Sequence, residues 1–374
     1  MFSNQTVEKF SSLRTPFYYY DTPVLRHTLD ALKKAASKHD FHVHYAMKAN
    51  TNDVLLDIIR SNGLGADCVS GNEVKRALEC GFAAHDVVFA GVGKSDEEIM
   101  YALQHDILCF NCESLQEMEV IDGLAKSMNK KTRIAIRINP NVNANTHHLW
   151  ELETVVAALK QLTSLELIGL HFHIGSQITD LSAFKSLCLR VNEIQEWFVS
   201  RKIALTHINV GGGLGVDYHQ PDTHTIPDFE SYFNIFAQFL ERRRGQQVHF
   251  ELGRAVIAQC GSLISRVLYV KKGIRTDFTI LDAGMTELIR PALYQSYHKI
   301  ENISPRIPKD APMQRYDVVG PICESSDCFG KAVDLPETRR GDLVAIRTAG
   351  AYGEVMMSQY NLRDRAGVHY SDTL

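Results

Sequence analysis

The feature that most constrains the fold is an alternation of short apolar runs with helical segments, repeated eight times. The runs are almost continuously apolar and rich in β-branched residues, which is typical of strands buried on both faces. They cover residues 41–47, 65–69, 87–91, 107–111, 133–139, 167–174, 205–210 and 248–252. The segments between them repeat apolar residues at helical spacing, and Ser95 before three acidic residues is a typical helix start. This α/β pattern predicts a parallel (β/α)8 TIM-type barrel, with a doubly wound sheet as the competing fold.

The pattern changes after about residue 256. The runs 262–270, 278–281, 316–319 and 342–347 are joined by Gly, Pro and Asp turns instead of regular helices. They predict a second, mostly β domain towards the C-terminus, and the early run 17–21 is expected to pair into it. We therefore divide the chain into a barrel of residues 23–258 and a β domain of residues 1–22 and 259–374.

Charge and cysteine content limit the class of function. A net charge of -4 over 374 residues gives no electrostatic basis for binding nucleic acid or an anionic membrane. No apolar run reaches the ~18 residues of a membrane span, and the N-terminus lacks a signal-peptide pattern. The eight scattered cysteines indicate a reduced, cytoplasmic protein. Cys109 and Cys112 lie in a predicted buried strand without a second pair, which favours structural thiols over a zinc site.

Polar residues collect at the carboxyl ends of the predicted strands, where such barrels carry their chemistry. Lys48 follows the first strand, and burial there favours a neutral, nucleophilic amine, although an isolated lysine more often reaches to solvent. The glycines 211–213 suit either a phosphate cradle or a plain tight loop, and Arg254 nearby adds a cation. His171 and His173 share a strand face and suit a metal or a flat ligand; without a third ligand we expect no metal.

Six motifs follow one another along nearly the whole chain: YAMKAN, HFHIGSQ, a GGG turn, ELGR, GPICESSD and AGAYG. In this order they resemble the fold-type III decarboxylases that use pyridoxal 5'-phosphate (PLP), and among them the diaminopimelate decarboxylases. The resemblance implies PLP as the cofactor and a homodimer whose active site is shared across the interface. It also implies a small amino-acid substrate, meso-2,6-diaminopimelate, decarboxylated to L-lysine and carbon dioxide in lysine biosynthesis.

The resemblance assigns roles to single residues. Lys48 matches the lysine that holds the cofactor as a Schiff base, His173 the histidine against the pyridine ring, and Glu251 the acid at the ring nitrogen. The expected cofactor-binding residues are Lys48, Asp67, His173, Ser176, Gly211, Gly212, Gly213, Glu251, Arg254 and Tyr352. The expected substrate-binding residues are Arg254, Arg290, Tyr294, Glu324 and Tyr352. The expected catalytic residues are Lys48, Cys323, His173 and Glu251.

The residue types at these positions favour decarboxylation. A carboxylate at Glu251 keeps the ring nitrogen protonated, so the ring accepts the electrons that carbon dioxide leaves behind; the related alanine racemases have a cation there. Cys323 is a candidate proton donor to Cα, with Lys48 the other, and a buried structural thiol is the alternative for Cys323. Arg290 and Glu324 suit the carboxylate and ammonium of a second amino-acid end. Cys323 and Glu324 match residues that enter the site from the partner subunit.

Two alternatives and two departures from the family pattern remain open. The first alternative is a decarboxylase of ornithine, arginine or carboxynorspermidine. The second is a protein that binds PLP without catalysis, and the β domain argues against it. Leu252 replaces the proline of the usual EPGR motif, which removes a fixed φ angle and leaves the charges in place. Between His148 and Leu149 the chain lacks a glycine-containing loop with a Lys-Phe-Gly motif. Either the loop is truly shortened or its residues are missing from this sequence.

Overall fold

The fold comes from a computed structural model that describes residues 2–139, 147–308 and 310–374. The chain forms two compact units. The barrel unit comprises Leu29–Gly215 and Asp228–Gly253, and the β unit comprises Met1–Thr28, Val216–Pro227 and Arg254–Leu374. The segment Val216–Pro227 therefore groups with the β unit, whereas the sequence assigned it to the barrel. The domain boundaries derived from the sequence stay a prediction.

The barrel unit contains eight parallel strands that close on themselves. The elements α1 (Asn4–Ser12), β1 (Phe17–Tyr20) and α2 (Thr22–Ser37) precede its first strand. Its strands are β2 (Phe41–Ala46), β3 (Gly65–Cys68), β4 (Val87–Phe89), β5 (Cys109–Cys112), β6 (Thr132–Ile138), β7 (Leu165–Phe172), β8 (His207–Asn209) and β9 (Gln247–Leu252). The helices among them are α3 (Asp53–Ser61), α4 (Gly71–Glu79), α5 (Asp96–Gln104), α6 (Leu115–Ser127), α7 (His147–Leu159), α8 (Ser182–Ser200) and α9 (Phe229–Phe239). Since β9 pairs with β2, the predicted parallel barrel is confirmed.

Local sequence explains where the helices begin. The strands β3, β4, β5 and β8 are buried along their whole length, as their apolar runs predicted. Serine side chains then cap the helices that follow β3, β4 and β5, at Ser70, Ser95 and Ser114. Each accepts a hydrogen bond from a backbone N–H three residues later, and Ser95 forms a full capping box with Glu98. The caps fix each turn from strand end to helix start, at the face where barrels carry their sites.

The predicted loop change near His148 falls in a region that is only partly described. Helix α7 begins at His147, directly before the position of the predicted loop change. Residues 140–146, which would form the rest of that loop, lie outside the described residues. Whether the loop is shortened therefore stays an open prediction.

The β unit contains an eight-stranded sheet. Its further elements are α10 (Arg254–Ile257), β10 (Gly261–Lys271), β11 (Asp277–Leu281), α11 (Arg290–Tyr294), β12 (Ile300–Asn302), β13 (Met313–Val319), β14 (Cys328–Pro336), β15 (Leu343–Ile346) and β16 (Gly367–Tyr370). The main strand order is β12-β15-β10-β11-β13-β14. β1 pairs antiparallel with β10 and parallel with β16, so the N-terminal strand joins the β domain as predicted.

In the described ranges, the helices are all too short or too polar to span a bilayer.

Candidate active site

Lys48 lies in a single 3-10 turn, Met47–Ala49, directly after β2. Its neighbours Met47 and Ala49 are fully buried, and Lys48 itself is half-buried. The positive charge of Lys48 favours the ionised forms of Asp67, Glu73 and Glu251. The lysine amine therefore lies within electrostatic reach of acids at the ends of other barrel strands, as the strand-end argument predicted.

Glu251 is a buried acid near the end of β9 whose carboxylate receives three hydrogen bonds. Its Oε1 accepts from the side-chain amides of Asn209 at 2.7 Å and Asn111 at 3.2 Å, and its Oε2 accepts from His171 Nε2 at 2.9 Å. Burial opposes ionisation, but the charge and hydrogen bond of His171 and the charge of Lys48 outweigh it. The pKa of Glu251 is lowered, so this acid is ionised at neutral pH.

Asp67 in β3 is a second buried acid that interacts with Glu251. Burial and the negative charge of Glu251 raise the pKa of Asp67 well above its usual value, against the opposing charge of Lys48. Its Oδ1 has no hydrogen-bond partner among the described residues. Two neighbouring acids with opposed pKa shifts are typical of catalytic sites, where one holds a proton and the other a charge.

The glycine turn follows β8 and has no room for side chains. Gly211 has a φ of 71°, and a Cβ there would lie 2.3 Å from the Phe172 carbonyl oxygen. A Cβ on Gly212 would lie 1.9 Å from the Glu251 carbonyl oxygen. Only glycine fits these positions, which lets ligand atoms approach the backbone closely. Close backbone contacts therefore require glycine in this turn, which a plain tight loop would not.

His173 and Ser176 lie beside this turn. Burial lowers the pKa of His173 to about 4, so its imidazole is neutral at pH 7 and suited to packing against a flat ligand. The Gly212 N–H points to His173 Nδ1 at 3.5 Å. The Ile178 N–H donates to the Gly213 carbonyl oxygen at 2.8 Å. The segment that contains the exposed Ser176 is therefore hydrogen-bonded to the glycine turn.

In the β unit, Arg290 is buried at the start of α11, with only 5% of its surface exposed. Its Nη1 contacts the Tyr218 hydroxyl at 2.9 Å and His298 Nε2 at 3.0 Å, and its Nη2 donates to Ser296 at 3.3 Å. Burial and the nearby arginine charge lower the pKa of His298 to about 3, so His298 is neutral and accepts this hydrogen bond. Within the described chain, no Asp or Glu side chain forms a hydrogen bond or an ion pair with Arg290, so its charge has no carboxylate partner.

Arg254 opens α10 and meets Arg290 at the same tyrosine. Its Nη1 donates to the Tyr218 hydroxyl at 2.5 Å, and its guanidinium carbon lies 4.9 Å from the centre of the Tyr352 ring. Tyr352 has a φ of 57°, a conformation that costs about 1–3 kcal/mol outside glycine and is found mainly at functional sites. Two guanidinium groups that converge on one phenol oxygen form a natural anion site.

Cys323 and Glu324 are exposed in the loop between β13 and β14. The buried Asp327 braces this loop, because its carboxylate accepts from the Ile322 N–H at 2.7 Å and the Met285 N–H at 2.6 Å. Tyr294, at the end of α11, is 60% exposed. In the part of the β unit that is described, no hydrogen bond joins these three predicted residues to the arginine pair.

Several residues of these two clusters escaped the sequence analysis. His171 was considered only as a metal ligand or ring contact, whereas it holds Glu251. Asn209 ends a buried strand and Asn111 is the last residue but one of another, so the rule that selected Lys48 could have found them. Tyr218 and His298 lie outside strands, and no spacing signals them. In the described ranges, no three or more His, Cys, Asp or Glu side chains are arranged to hold a metal ion.

Comparison with known proteins identifies the family. Residues 24–258 match the family described as "Pyridoxal-dependent decarboxylase, pyridoxal binding domain". Diaminopimelate decarboxylase of Bacteroides thetaiotaomicron is 53% identical over 98% of this chain and 98% of its own length. The chain belongs to the family of pyridoxal-dependent diaminopimelate decarboxylases. The Helicobacter pylori enzyme, in a crystal structure complexed with L-lysine, has a TM-score of 0.88 at 37% identity, covering 97% of this chain and 93% of that one.

These matches confirm the predicted family, fold class, decarboxylase activity and PLP cofactor. The alignment with the Bacteroides relative spans 383 positions, more than the 374 residues of this chain, so that relative has residues without a counterpart here.

The barrel unit fits the cofactor on its own geometry. Glu251 is ionised and buried, as a partner of a protonated ring nitrogen must be. The glycine turn has no space for Cβ atoms and suits a phosphate. Asp67 carries a buried oxygen with no partner in the described chain, which a ligand can satisfy.

Proposed function

We propose that this protein decarboxylates meso-2,6-diaminopimelate to L-lysine and carbon dioxide, as a step of lysine biosynthesis. Relatives at 53% and 39% identity are named diaminopimelate decarboxylase, and L-lysine is bound in the Helicobacter pylori structure. The observation that carries the proposal is the ionised Glu251, held by three buried donors within electrostatic reach of Lys48.

Different barrel residues would bind the cofactor and control the protonation of its ring. PLP supplies a ring that accepts the electron pair left when carbon dioxide departs. Lys48 holds it through its amine, and Glu251 keeps the ring nitrogen protonated because its own pKa is low. The neutral His173 would contact the face of the ring, and Asp67, whose pKa is raised by burial and by the charge of Glu251, would be a further cofactor contact. The phosphate is assigned to Ser176, Gly211, Gly212, Gly213, Arg254 and Tyr352.

Arg290 supplies the argument for a substrate with two amino-acid ends. Its buried guanidinium has no carboxylate partner in the described chain, so a carboxylate of the substrate would stabilise it strongly. Diaminopimelate brings a distal carboxylate and a distal ammonium, and Glu324 suits the ammonium. Tyr294, Arg254 and Tyr352 complete the proposed substrate contacts. Ornithine and arginine lack the distal carboxylate, which makes them weaker candidates.

The proposal includes a homodimer in which Cys323 and Glu324 act in the site of the partner subunit. Both are exposed on a loop that Asp327 braces, so they are available to a second chain in a fixed conformation. Cys323 would then donate the proton that replaces carbon dioxide at Cα, with Lys48 as the other candidate. A cytoplasmic location is also proposed, because all eight cysteines are free thiols, as a reducing compartment requires.

One experiment tests the reaction and the cofactor together. The protein is purified with PLP, its visible absorbance is recorded, and carbon dioxide release is measured from meso-diaminopimelate, ornithine, arginine and carboxynorspermidine. We expect release from meso-diaminopimelate at the highest kcat/KM. Release only from one of the other three would reject the substrate, and absorbance without any release would support a non-catalytic PLP protein.

Two lysine variants locate the cofactor. Lys48→Ala should lose the absorbance band and the activity. Lys130→Ala is the matched control, since Lys130 is also partly buried but lies before β6, at the opposite end of the strands. A Lys48→Ala protein that keeps the wild-type band would reject the assignment.

A further inference from the structure

Asn209 connects two parts of the barrel site that bind opposite ends of the cofactor. It is the last residue of β8 and is fully buried. Its Nδ2 donates to Glu251 Oε1 at 2.7 Å, and its Oδ1 accepts from the Gly211 N–H at 2.9 Å. An amide makes both bonds at once, whereas an aspartate only accepts and a leucine does neither.

The backbone reinforces this connection. The Gly211 carbonyl accepts from the Glu251 N–H at 2.8 Å, so Gly211 is bonded on one side to Asn209 and on the other to Glu251. Gly212 packs so closely on the Glu251 carbonyl that a Cβ would lie 1.9 Å from its oxygen. The acid and the glycine turn therefore form one hydrogen-bonded body.

We propose that Asn209 is a positioning residue that sets the distance between the acid for the ring nitrogen and the turn for the phosphate. This inference rests on the proposed function. The ring of PLP is flat and rigid and its phosphate is attached through one short arm, so the ring nitrogen and the phosphate are bound together best when their two partners are held within a narrow range of separations. Asn209 supplies that separation through one side chain and does not itself touch the reacting atoms.

Asn111 provides a matched comparison. It is the same residue type, fully buried in β5, and its Nδ2 donates to the same Glu251 oxygen at 3.2 Å. Its side-chain oxygen faces the Cys109 thiol at 3.7 Å, and within the described chain it makes no hydrogen bond to the glycine turn. Loss of Asn111 therefore disturbs the acid alone, whereas loss of Asn209 disturbs the acid and the turn.

The test compares the binding of PLP and of pyridoxal, which lacks the phosphate, to the apoprotein by absorbance titration. The ratio of the two dissociation constants reports the phosphate turn without any turnover. Asn209→Leu should lower the preference for PLP by about 10- to 100-fold, the range for losing hydrogen bonds at a charged site. Asn111→Leu should leave the preference within about twofold. Both variants should shift the pH midpoint of the bound-cofactor absorbance, since both remove a donor from Glu251.

Asn209→Ala serves if the leucine variant fails to fold, because it removes both hydrogen bonds without adding volume. It should lower the PLP preference and shift the pH midpoint, whereas its matched control Asn111→Ala should shift the midpoint and leave the preference within about twofold. An unchanged preference in Asn209→Leu, or an equal loss in Asn111→Leu, would overturn the inference. A wild-type protein that binds no PLP would instead reject the proposed function, so the two failures are distinct.

Discussion

The barrel unit and the β unit each bury a charged side chain, and they stabilise it in opposite ways. Glu251 receives hydrogen bonds from two amides and a histidine, so the protein itself satisfies the charge. Arg290 contacts Tyr218, His298 and Ser296, and among the described residues no Asp or Glu side chain forms an ion pair with it. Burying a charge without a counter-charge is costly. The barrel acid is therefore complete before ligand binds, whereas the β-unit arginine gains most from an incoming anion.

This difference indicates that the barrel unit controls the chemical step and the β unit controls substrate binding. A preorganised acid costs no rearrangement during the reaction, so it acts on the chemical step. A buried cation that lacks an anionic partner acts on binding and on the choice of substrate. Changes at Glu251 should therefore appear mainly in kcat, and changes around Arg290 mainly in KM.

The largest effect is expected for Glu251→Gln. The glutamine preserves shape but removes the charge that keeps the ring nitrogen protonated, so kcat should fall by about 100-fold or more. Steady-state assays on PLP-loaded protein check this, with the exposed Glu230→Gln as a control that keeps the wild-type rate. A Glu251→Gln protein with kcat within twofold of wild type would contradict the role given to the barrel acid.

A smaller effect is expected for Tyr218→Phe. The hydroxyl contacts both the half-buried Arg254 and the buried Arg290, so its loss removes one hydrogen-bond partner from each guanidinium. Loss of one such hydrogen bond costs about 1–3 kcal/mol, which predicts a KM for meso-diaminopimelate raised about 10-fold with kcat nearly unchanged. Tyr297→Phe, at a half-exposed tyrosine without a described hydrogen bond to either arginine, is the control. A change confined to kcat would remove the distinction between the units.

The smallest effect concerns acid stability, which the barrel histidines dominate. His44, His207 and His249 stack in the barrel, with His44 Nε2 at 2.9 Å from His249 Nδ1 and the His207 and His249 ring centres 3.9 Å apart. Burial lowers the pKa of each, for His207 to about 3, so the folded state takes up fewer protons than the unfolded state below pH 6.5. Their stabilisation is present above pH 6.5 and is lost as pH falls, by about 1.4 kcal/mol per histidine at pH 5.5.

Urea unfolding of the apoprotein at pH 7.5 and 5.5 measures this loss. His207→Gln should reduce the difference between the two pH values by about 1 kcal/mol. His85→Gln, at a histidine whose side chain is 75% exposed, should leave it unchanged. Equal pH dependence in all three proteins would show that the buried stack does not set acid stability.

The sequence predicted the barrel well because its strands are buried on both faces and read as continuous apolar runs. It missed β14, which contains Gly330, Lys331 and Asp334 and is partly exposed, so no apolar run marks it. It also missed α1, a short helix that buries only Val7 and Phe10. Edge elements of this kind depend on tertiary contacts that composition does not record.

The candidate site divides in the same way. Glu251 lies near the end of its strand, and Lys48 and the glycine turn directly follow theirs, so a rule about strand ends locates them. The partners that set their electrostatics do not follow from such a rule. The amide of Asn209 can donate and accept hydrogen bonds, but only the structure shows that it donates to Glu251 and accepts from Gly211. Tyr218 lies far from Arg290 in sequence, so their contact required the structure.

The most direct test of the account is the selectivity of Arg290→Gln. The ratio of kcat/KM for meso-diaminopimelate to that for ornithine is measured in the wild type, in Arg290→Gln and in Arg290→Lys, all loaded with PLP. If the buried guanidinium binds the distal carboxylate, Arg290→Gln should lower the ratio by about 10- to 100-fold, and Arg290→Lys should lower it less. A ratio that stays at the wild-type value in Arg290→Gln, with both substrates slowed equally, would contradict the central claim that this arginine selects a two-ended substrate.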